Sequence, residues 1–328
     1  MPVSDEFYTQ YQDIVDEISH YPTAFRNKTV YCNCDDPRMS NFWKFFHYNF
    51  SEFGIKRLVA THCNLNGEPS FVMEYDGGND SDHLDGHITP LQGNGDFRSE
   101  ECTEILKRAD IVVSNAPFSL FQEYVTQLMD YRKQFIIIGS KHSITYKGIF
   151  PYIKNNKMWV GYTSMSKAMW FETTSDYASK FDKIVDGRKL TPVAACWFTN
   201  IDHPRRHVPL VLTRSYNPSE YEKFDNYDAI NIDHISDIPK DYDLPMGVPV
   251  SILNHLCPEQ FRILGTVGDY PPTKVYHRKV KVVDGIRMPS QSGRLGCVVR
   301  KDAFGEGTYF DVGYPVKVVY KRIFIQSI

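Results

Sequence analysis

The stretch Ile111-Val112-Val113-Ser114-Asn115-Ala116-Pro117-Phe118 decides how this chain is read. Three β-branched apolar residues in succession suit a strand buried on both faces, the pattern of a parallel sheet. The run stops at a polar Ser-Asn pair, a proline and an aromatic ring, and a helical pattern follows over residues 120–131. In an open α/β sheet, ligands bind beyond the carboxyl ends of the strands, so chemistry is expected at this tip. Asn115 offers a side-chain carbonyl, and the backbone carbonyl of Ala116 lies next to it. Two such acceptors can take both hydrogens of an exocyclic amine and leave its lone pair free to attack. Pro117 stiffens the turn and biases Ala116 toward an extended backbone. Phe118 can stack on a flat ring held against the acceptors, as a base turned out of a duplex requires. Without context the same residues are also an ordinary strand-to-helix turn.

The 328 residues allow one large domain or two. With 42% hydrophobic and 23% charged residues the composition is that of a soluble globular protein. No apolar run approaches membrane-spanning length, and Met1-Pro2-Val3-Ser4-Asp5-Glu6 does not read as a signal peptide. Seven cysteines without framework spacing point to a reducing compartment, the cytoplasm. Cys32-x-Cys34 is not a zinc spacing and no second pair answers it, so both read as core thiols and no metal is expected.

Upstream of the tip, residues 5–18 read as a short amphipathic helix that Ser4 would cap; the alternative folds Phe7 and Tyr8 back over a cofactor. Residues 29–34 read as a buried strand, broken by Asp35-Asp36-Pro37, before an aromatic-rich helix over 40–53. There is no G-x-G-x-x-G here and no G-x-x-x-x-G-K anywhere, which argues against a nucleotide-phosphate cradle. A cationic ligand carrying a sulfonium and an ammonium, such as S-adenosylmethionine, suits Asp35 and Asp36 better than it suits a bare helix N-terminus. The competing reading makes them helix-capping aspartates. Further strands are expected over 56–63 and 71–75, with a loop over 76–86. Asp96 and Phe97 precede a helix over 99–108; they can meet the edge and face of an adenine, or simply begin the helix.

Downstream, strands are expected over 134–139, 158–162, 168–172 and 192–199, a helix over 143–154 and a polar loop over 176–188. His203 and His207 flank Arg205 and Arg206 in a turn that reads as phosphate-facing rather than metal-binding. From Tyr216 the texture becomes rich in Tyr, Asp, Asn and Pro. Lys274, Arg278, Lys279, Lys281, Arg287 and Arg294 then crowd one segment of a mildly acidic chain, net charge −3, which makes a local polyanion site. A solvated charged face is the plainer alternative.

These stretches together resemble the EcoRI-type family of adenine-specific DNA methyltransferases. The residues that carry the resemblance include Asp5-Glu6-Phe7-Tyr8-Thr9-Gln10, 30–37, Gly95-Asp96-Phe97-Arg98, 115–121, Ile144-Thr145-Tyr146-Lys147, Trp197-Phe198-Thr199-Asn200, 221–231 and Met246-Gly247-Val248-Pro249. Residues 268–313 match weakly. The resemblance implies an α/β, class I S-adenosylmethionine-dependent methyltransferase fold with a Rossmann-like doubly wound sheet and a C-terminal β-rich DNA-recognition region. It implies a catalytic core over 1–212 and target recognition over 213–328, with a basic arm at 268–313. S-adenosylmethionine is the implied donor and N6 of adenine in double-stranded DNA the acceptor. Phe7, Tyr8, Asp35 and Asp36 would surround the donor, with Asp96 and Phe97 on its adenine and Asn115 between donor and base. Asn115, Ala116, Pro117 and Phe118 would hold the flipped base. The implied partners are duplex DNA and a cognate restriction endonuclease of the same site, with the enzyme acting as a monomer and no membrane.

The departure is Ala116, where the family's Asn-Pro-Pro-Phe pattern has proline. Alanine keeps the carbonyl, loses rigidity worth on the order of 1 kcal/mol, and adds a backbone N–H that must find a partner. An active or attenuated enzyme is expected. A catalytically silent DNA-binding relative, or transfer to cytosine N4, RNA or a protein amide, are the rival readings.

Overall fold

The structure, a computed structural model, describes residues 7–34, 36–64, 69–173, 181–185, 187–276, 279–290, 296–319 and 321–328; of Phe7, Thr173, Ser290 and Asp311 only the backbone is described. The chain divides into two compact units, residues 1–203 and 204–328, so the division falls before the expected 212/213 boundary.

In chain order the first unit carries β1 (Phe7–Thr9), α1 (Tyr11–Ile18), β2 (Thr29–Asn33), α2 (Asn41–Tyr48), α3 (Phe50–Phe53), β3 (Arg57–Thr61), β4 (Phe71–Tyr75) and β5 (His87–Pro90). It continues with α4 (Glu100–Arg108), β6 (Ile111–Asn115), α5 (Phe121–Asp130), β7 (Gln134–Ser140) and α6 (Phe150–Lys154). It closes with β8 (Trp159–Val160), β9 (Met169–Thr173), β10 (Lys183–Val185), β11 (Arg188–Val193) and β12 (Ala195–Thr199). Eight strands form one sheet in the order β5-β4-β3-β2-β6-β7-β12-β8. Its centre, β3-β2-β6-β7, is parallel. β4 and β5 extend one side as an antiparallel meander, and β12 runs antiparallel to both β7 and β8. The sheet is thus mixed, with a parallel centre and antiparallel strands at both sides, an α/β arrangement consistent with the expected methyltransferase fold.

The sequence explains the central strands: all five residues of β6 are buried, as continuous apolar strands covered on both faces must be. Ser40 caps α2 by accepting from the Phe42 N–H at 3.2 Å, and Phe42, Trp43, Phe45 and Phe46 press its apolar face onto the sheet. Ser99 caps α4, with Glu100 and Glu101 in its first turn and Lys107 and Arg108 in its last, which matches the helix dipole at both ends.

Several expected elements are shorter or different. Phe7–Thr9 is not helical: it pairs antiparallel with β9, and α1 starts after Gln10, with no side-chain cap there. The 40–53 helix breaks at Asn49 into α2 and α3, and Gly54, at φ +61°, ends it. The 143–154 helix is a 3₁₀ turn, Lys141–Thr145, followed by the short α6. Between them Gly148 lies so close to Gln122 that a Cβ would fall 2.4 Å from its Cδ, so glycine is required there. Described parts of 176–188 form β10 and the start of β11, a hairpin rather than a loop.

A second sheet of this unit, β1-β9-β11-β10, is antiparallel throughout. The buried Glu17 of α1 fastens its entry loop by accepting the N–H groups of Tyr162 and Thr163, both at 2.7 Å.

The second unit is β-rich. One sheet joins β13 (Ile230–Asn231), β14 (Met246–Pro249), β15 (Phe261–Thr266) and, at the end of the chain, residues Arg322–Ser327. The other contains β16 (Lys279–Val283), β17 (Ile286–Ser290), β18 (Val298–Arg300), β19 (Gly307–Asp311) and β20 (Pro315–Val318), ordered β17-β16-β19-β20-β18. Arg322, which opens the last strand, β21, is buried and bonded to Asn231 and Asp233.

Candidate active site

From β2 the chain moves to β3 on one side, and from β6 to β7 on the other. The strand order therefore reverses between β2 and β6, and the crevice at such a reversal, beyond the carboxyl ends, is where open α/β sheets bind ligands. β2 ends at Asn33 and β6 at Asn115. The two tips are tied together. The Ser114 hydroxyl donates to the backbone carbonyl of Asn33, and the Tyr124 hydroxyl of α5 donates to the Asn33 side-chain carbonyl. All three residues are buried. Cys34 leaves β2 at φ +77°, a left-handed conformation that a non-glycine residue adopts only under constraint.

Asn115 and Ala116 are buried at the tip of β6. The side-chain oxygen of Asn115 is within the buried surface and accepts no hydrogen bond among the described residues, while the residue is otherwise engaged. The Ala116 N–H donates to the Ile138 carbonyl of β7 at 3.3 Å, so the donor that replaces a proline ring is satisfied. Pro117, at φ −62° and ψ 118°, accepts from the Leu120 N–H at 3.0 Å and opens the 3₁₀ turn Phe118–Leu120. Phe118 is half-buried and meets Phe171 of β9 edge-on, with centroids 6.4 Å apart and planes at 89°. The small sheet thus walls one side of the tip. Gly139 of β7 admits the Phe121 ring behind it; a Cβ there would fall 2.1 Å from that ring.

Two turns on the other side share one construction. In Asp36-Pro37-Arg38 the carboxylate accepts the Arg38 N–H at 3.0 Å and its guanidinium at 2.6–3.2 Å. In Asp96-Phe97-Arg98 the equivalent bonds measure 2.8 Å and 2.7–2.9 Å. Burial works to raise the Asp36 pKa, but the Arg38 hydrogen bonds outweigh it and hold the carboxyl below its ordinary range. For Asp96 the Arg98 guanidinium is the largest influence and lowers it. Neither aspartate caps a following helix by its side chain, since Ser40 and Ser99 fill that role. Phe97 is buried, edge-on to Tyr124 at 5.0 Å, with the Arg98 guanidinium 5.5 Å from its ring centre. Tyr8 of β1 is half-buried opposite Glu172 of β9. Asp35 and the Phe7 side chain lie outside the described residues.

His62, which sequence reasoning passed over, stands just past the end of β3. Its Nδ1 is buried with no hydrogen-bond partner among the described residues, and its charge would lower the Asp36 pKa. Gly95, at φ +78°, lies so close that a Cβ would fall 1.9 Å from the His62 carbonyl oxygen. The visible signal was position: a polar residue at the carboxyl end of the strand beside the reversal point. Arg38 and Arg98 were missed as well, because pairing at two residues' separation in a turn leaves no periodic trace.

Among the described residues, the expected DNA-contact cations of β16 and β17 do not share one face. Lys279 and Lys281 alternate onto the side of the sheet that carries Met288 and Phe310, whereas Arg287 pairs with Val282 on the reverse side. The Arg287 guanidinium sits 4.2 Å from the Phe304 ring centre, and Lys281 is exposed. Lys274 forms an ion pair with Asp225 at 3.1 Å. Arg205 and Arg206 are half-buried in the 3₁₀ turn Pro204–His207. Arg278 and Arg294 lie outside the described residues. His203 is a core histidine, its Nε2 3.3 Å from the Val160 carbonyl, and His207 pairs with Glu259 at 2.9 Å. Among the described residues no group of three candidate ligands could hold a metal. All seven cysteines are free thiols.

Comparison with known proteins gives the family. The family described as adenine-specific methyltransferase EcoRI matches residues 2–302. The type II methyltransferase M.EcoRI of Escherichia coli is 44% identical over 279 residues, covering 80% of this chain and 85% of that one. M.MgeORF184P of Mycoplasma genitalium is 39% identical over 278 residues, covering 81% and 84%. M.MpnI of Mycoplasma pneumoniae is 38% identical over 274 residues, covering 81% and 83%. No solved structure matches the chain. A match that spans nearly the whole sequence, over a site at the expected strand reversal, makes this chain a member of the adenine-specific EcoRI methyltransferase family.

Proposed function

We propose that this protein, a site-specific DNA adenine methyltransferase by family, methylates N6 of an adenine turned out of duplex DNA, with S-adenosylmethionine as donor. The observation that carries the reading is the Asn115-Ala116-Pro117-Phe118 tip at the reversal between β2 and β6. The strand order supports a class I methyltransferase fold: a parallel centre, β3-β2-β6-β7, with the antiparallel β12 set between β7 and β8.

The residues beside the reversal suit the donor. Asp36 and Asp96 supply carboxylates and His62 a buried ring nitrogen; Asp35 adjoins Asp36 in sequence, and Tyr8, on β1 opposite Glu172 of β9, is read as a donor-site residue with them. When bound, S-adenosylmethionine supplies a methyl group made electrophilic by its sulfonium. The chain's own part is to orient the amine. Asn115 Oδ1 and the Ala116 carbonyl accept its two hydrogens, which returns electron density to the nitrogen and frees the lone pair. Phe118, braced by Phe171, offers the face on which the base stacks. Pro117 and the Ala116–Ile138 bond hold the acceptors still, so positioning and charge accommodation supply most of the acceleration.

The second unit, with Arg205, Arg206 and the cations of residues 268–313, is read as the target-recognition part, gripping phosphates and reading base edges. A cognate endonuclease, a monomeric enzyme and a cytoplasmic setting accompany the reading. Among the described residues no helix is long and apolar enough to cross a membrane. The silent-relative reading rested on Ala116, and the satisfied Ala116 N–H weakens it.

The test is incubation with methyl-labelled S-adenosylmethionine and mixed-sequence duplex DNA, followed by digestion to nucleosides. Labelled N6-methyladenine is expected. Label on cytosine N4 would overturn the base. Absence of label with intact donor binding would turn the reading to a silent DNA-binding relative.

A further inference from the structure

The sequence contains a second one-sided block of charge. Between Asp130 and Glu172 there is no carboxylate, while Arg132, Lys133, Lys141, Lys147, Lys154, Lys157 and Lys167 are all cationic. The fold sorts these residues by sheet edge. β7 runs from Gln134 to Ser140 parallel to β6, so Arg132 and Lys133 lie at its amino end and Lys141 at its carboxyl end. β8 runs in the same direction, because both β7 and β8 are antiparallel to β12, and Lys154 and Lys157 precede it. These two therefore lie at the amino edge. Lys133 is spent on the carbonyls of Lys107 and Ala109, at 2.8 and 2.7 Å, and Lys167 on Asp13 and Asp16 of α1, at 3.2 and 2.6 Å.

What stays at the carboxyl edge is the turn Lys141–Lys147, directly beside the catalytic tip. It begins three residues after Ile138, the residue that accepts the Ala116 N–H. Ser143, Ile144 and Ile149 are buried and anchor it, and the Lys141 N–H is held by the Ala194 carbonyl at 2.8 Å. Gly148 seats its far end against Gln122, on the helix that follows the tip. The outward residues are His142, Tyr146 and Lys147, all exposed, with Lys141 half-buried. Neither Lys141 nor Lys147 has an ion-pair partner among the described residues.

We propose that this turn grips the phosphates on either side of the flipped nucleotide. The inference rests on the reading that Asn115–Phe118 receives a base from DNA. A base in that pocket remains covalently joined to its sugar and to two phosphodiesters, so those anions must lie at the rim of the tip, whatever sequence is recognised. A rigidly anchored turn offering two ammonium groups, an imidazole and a phenol at that rim matches them in charge and in hydrogen bonding. Bound there, the turn acts on the extruded strand rather than on the sequence as a whole.

The experiment is a cycle between protein and DNA charge. Duplexes carry a neutral methylphosphonate at each phosphate flanking the target adenine, and binding is measured against salt for wild type, Lys141→Gln, Lys147→Gln and the double variant. Each substitution is expected to lower the slope of log affinity against log salt by about 0.9, and the neutral linkages are expected to weaken wild type while leaving the double variant unchanged. Lys157→Gln, at the other edge, should keep the wild-type slope. Unaltered melting and unaltered donor binding in the double variant exclude a folding defect. Unchanged slopes, or linkage and substitution effects that simply add, would overturn the inference while wild-type methylation of the same duplex leaves the functional reading intact. A wild type that neither binds nor methylates duplex DNA would overturn both.

Discussion

The backbone N–H of Ala116 donates to the carbonyl of Ile138 at 3.3 Å, one step beyond the last residue of β6. A proline at this position could make no such bond. The chain restrains its turn through the β6–β7 ladder where the family pattern uses a ring. Ala116→Pro exchanges one restraint, a hydrogen bond worth about 1 kcal/mol net, for another, a loss of unfolded-chain freedom worth about 1 kcal/mol. The methylation kcat of the variant is expected to stay within about threefold of wild type, since so small a residual moves a rate little. A rise of about tenfold or more would mean that the bond to Ile138 does not preorganise the site.

Asn115→Ala removes one of the two acceptors for the amine hydrogens. Loss of a group that stabilises developing charge commonly costs about 10²–10³ in kcat, and that loss is expected here with duplex affinity retained. Steady-state kinetics check it. If the loss appeared in the KM for the donor instead, Asn115 would belong to the donor site.

Tyr124→Phe withdraws the hydroxyl that donates to the Asn33 side-chain carbonyl. Asn33 is buried, and a buried acceptor left without its donor costs about 1–3 kcal/mol. A fall of a few degrees in melting temperature is expected. Ser114→Ala acts on the same residue, so the double variant should depart from additivity.

Gly95→Ala places a Cβ against the His62 carbonyl at a φ that L side chains rarely adopt. The displaced group is backbone, which cannot rotate away. Calorimetry is expected to show donor affinity reduced at least about tenfold, because His62 and Asp96 lie on either side of the contact. Unchanged affinity would remove this turn from the donor site.

Asp36 and Asp96 both titrate below the ordinary aspartate value of 3.8 when folded. A carboxyl depressed in the folded state contributes stability that is fully present above its unfolded pKa and is lost as the pH falls through the folded one. Melting temperature is therefore expected to decline below about pH 4. Arg38→Gln and Arg98→Gln should each reduce that decline, since each removes the guanidinium that lowers its aspartate. Thermal melts across the acid range check this.

Much of the first unit is legible in the residues. The run 111–113 forecasts β6 because β-branched residues in unbroken succession fit only a strand covered on both faces. Ser40 and Ser99 mark helix starts that are found one residue later. The failures have physical causes. Phe7–Thr9 continues a helical pattern in sequence yet pairs with β9, a partner more than 150 residues away in the chain, and no local pattern carries that pairing. The helix expected over 143–154 is instead a 3₁₀ turn and the short α6, interrupted around Gly148, a helix-weakening residue packed closely against Gln122. Among the site residues, Asn115, Asp36 and Asp96 were visible as polar groups at strand or turn ends. Arg38 and Arg98 were not, because only the folded turns bring each guanidinium back onto its carboxylate.

By itself the sequence determined that a buried strand ends in Asn-Ala-Pro-Phe, that acidic turns lie upstream of it, and which family the chain resembles, since all of these are written in residue type and short spacing. Tertiary structure alone decided that β2 and β6 are neighbours at the reversal point and that Ile138 satisfies the Ala116 N–H. It also decided that the cations of residues 279–287 divide between two faces while Lys141 and Lys147 stand beside the tip. The reason is the same in each case: hydrogen-bond partners and strand neighbours are set by which distant segments pack together, and burial energy is shared across those contacts rather than encoded at any one position.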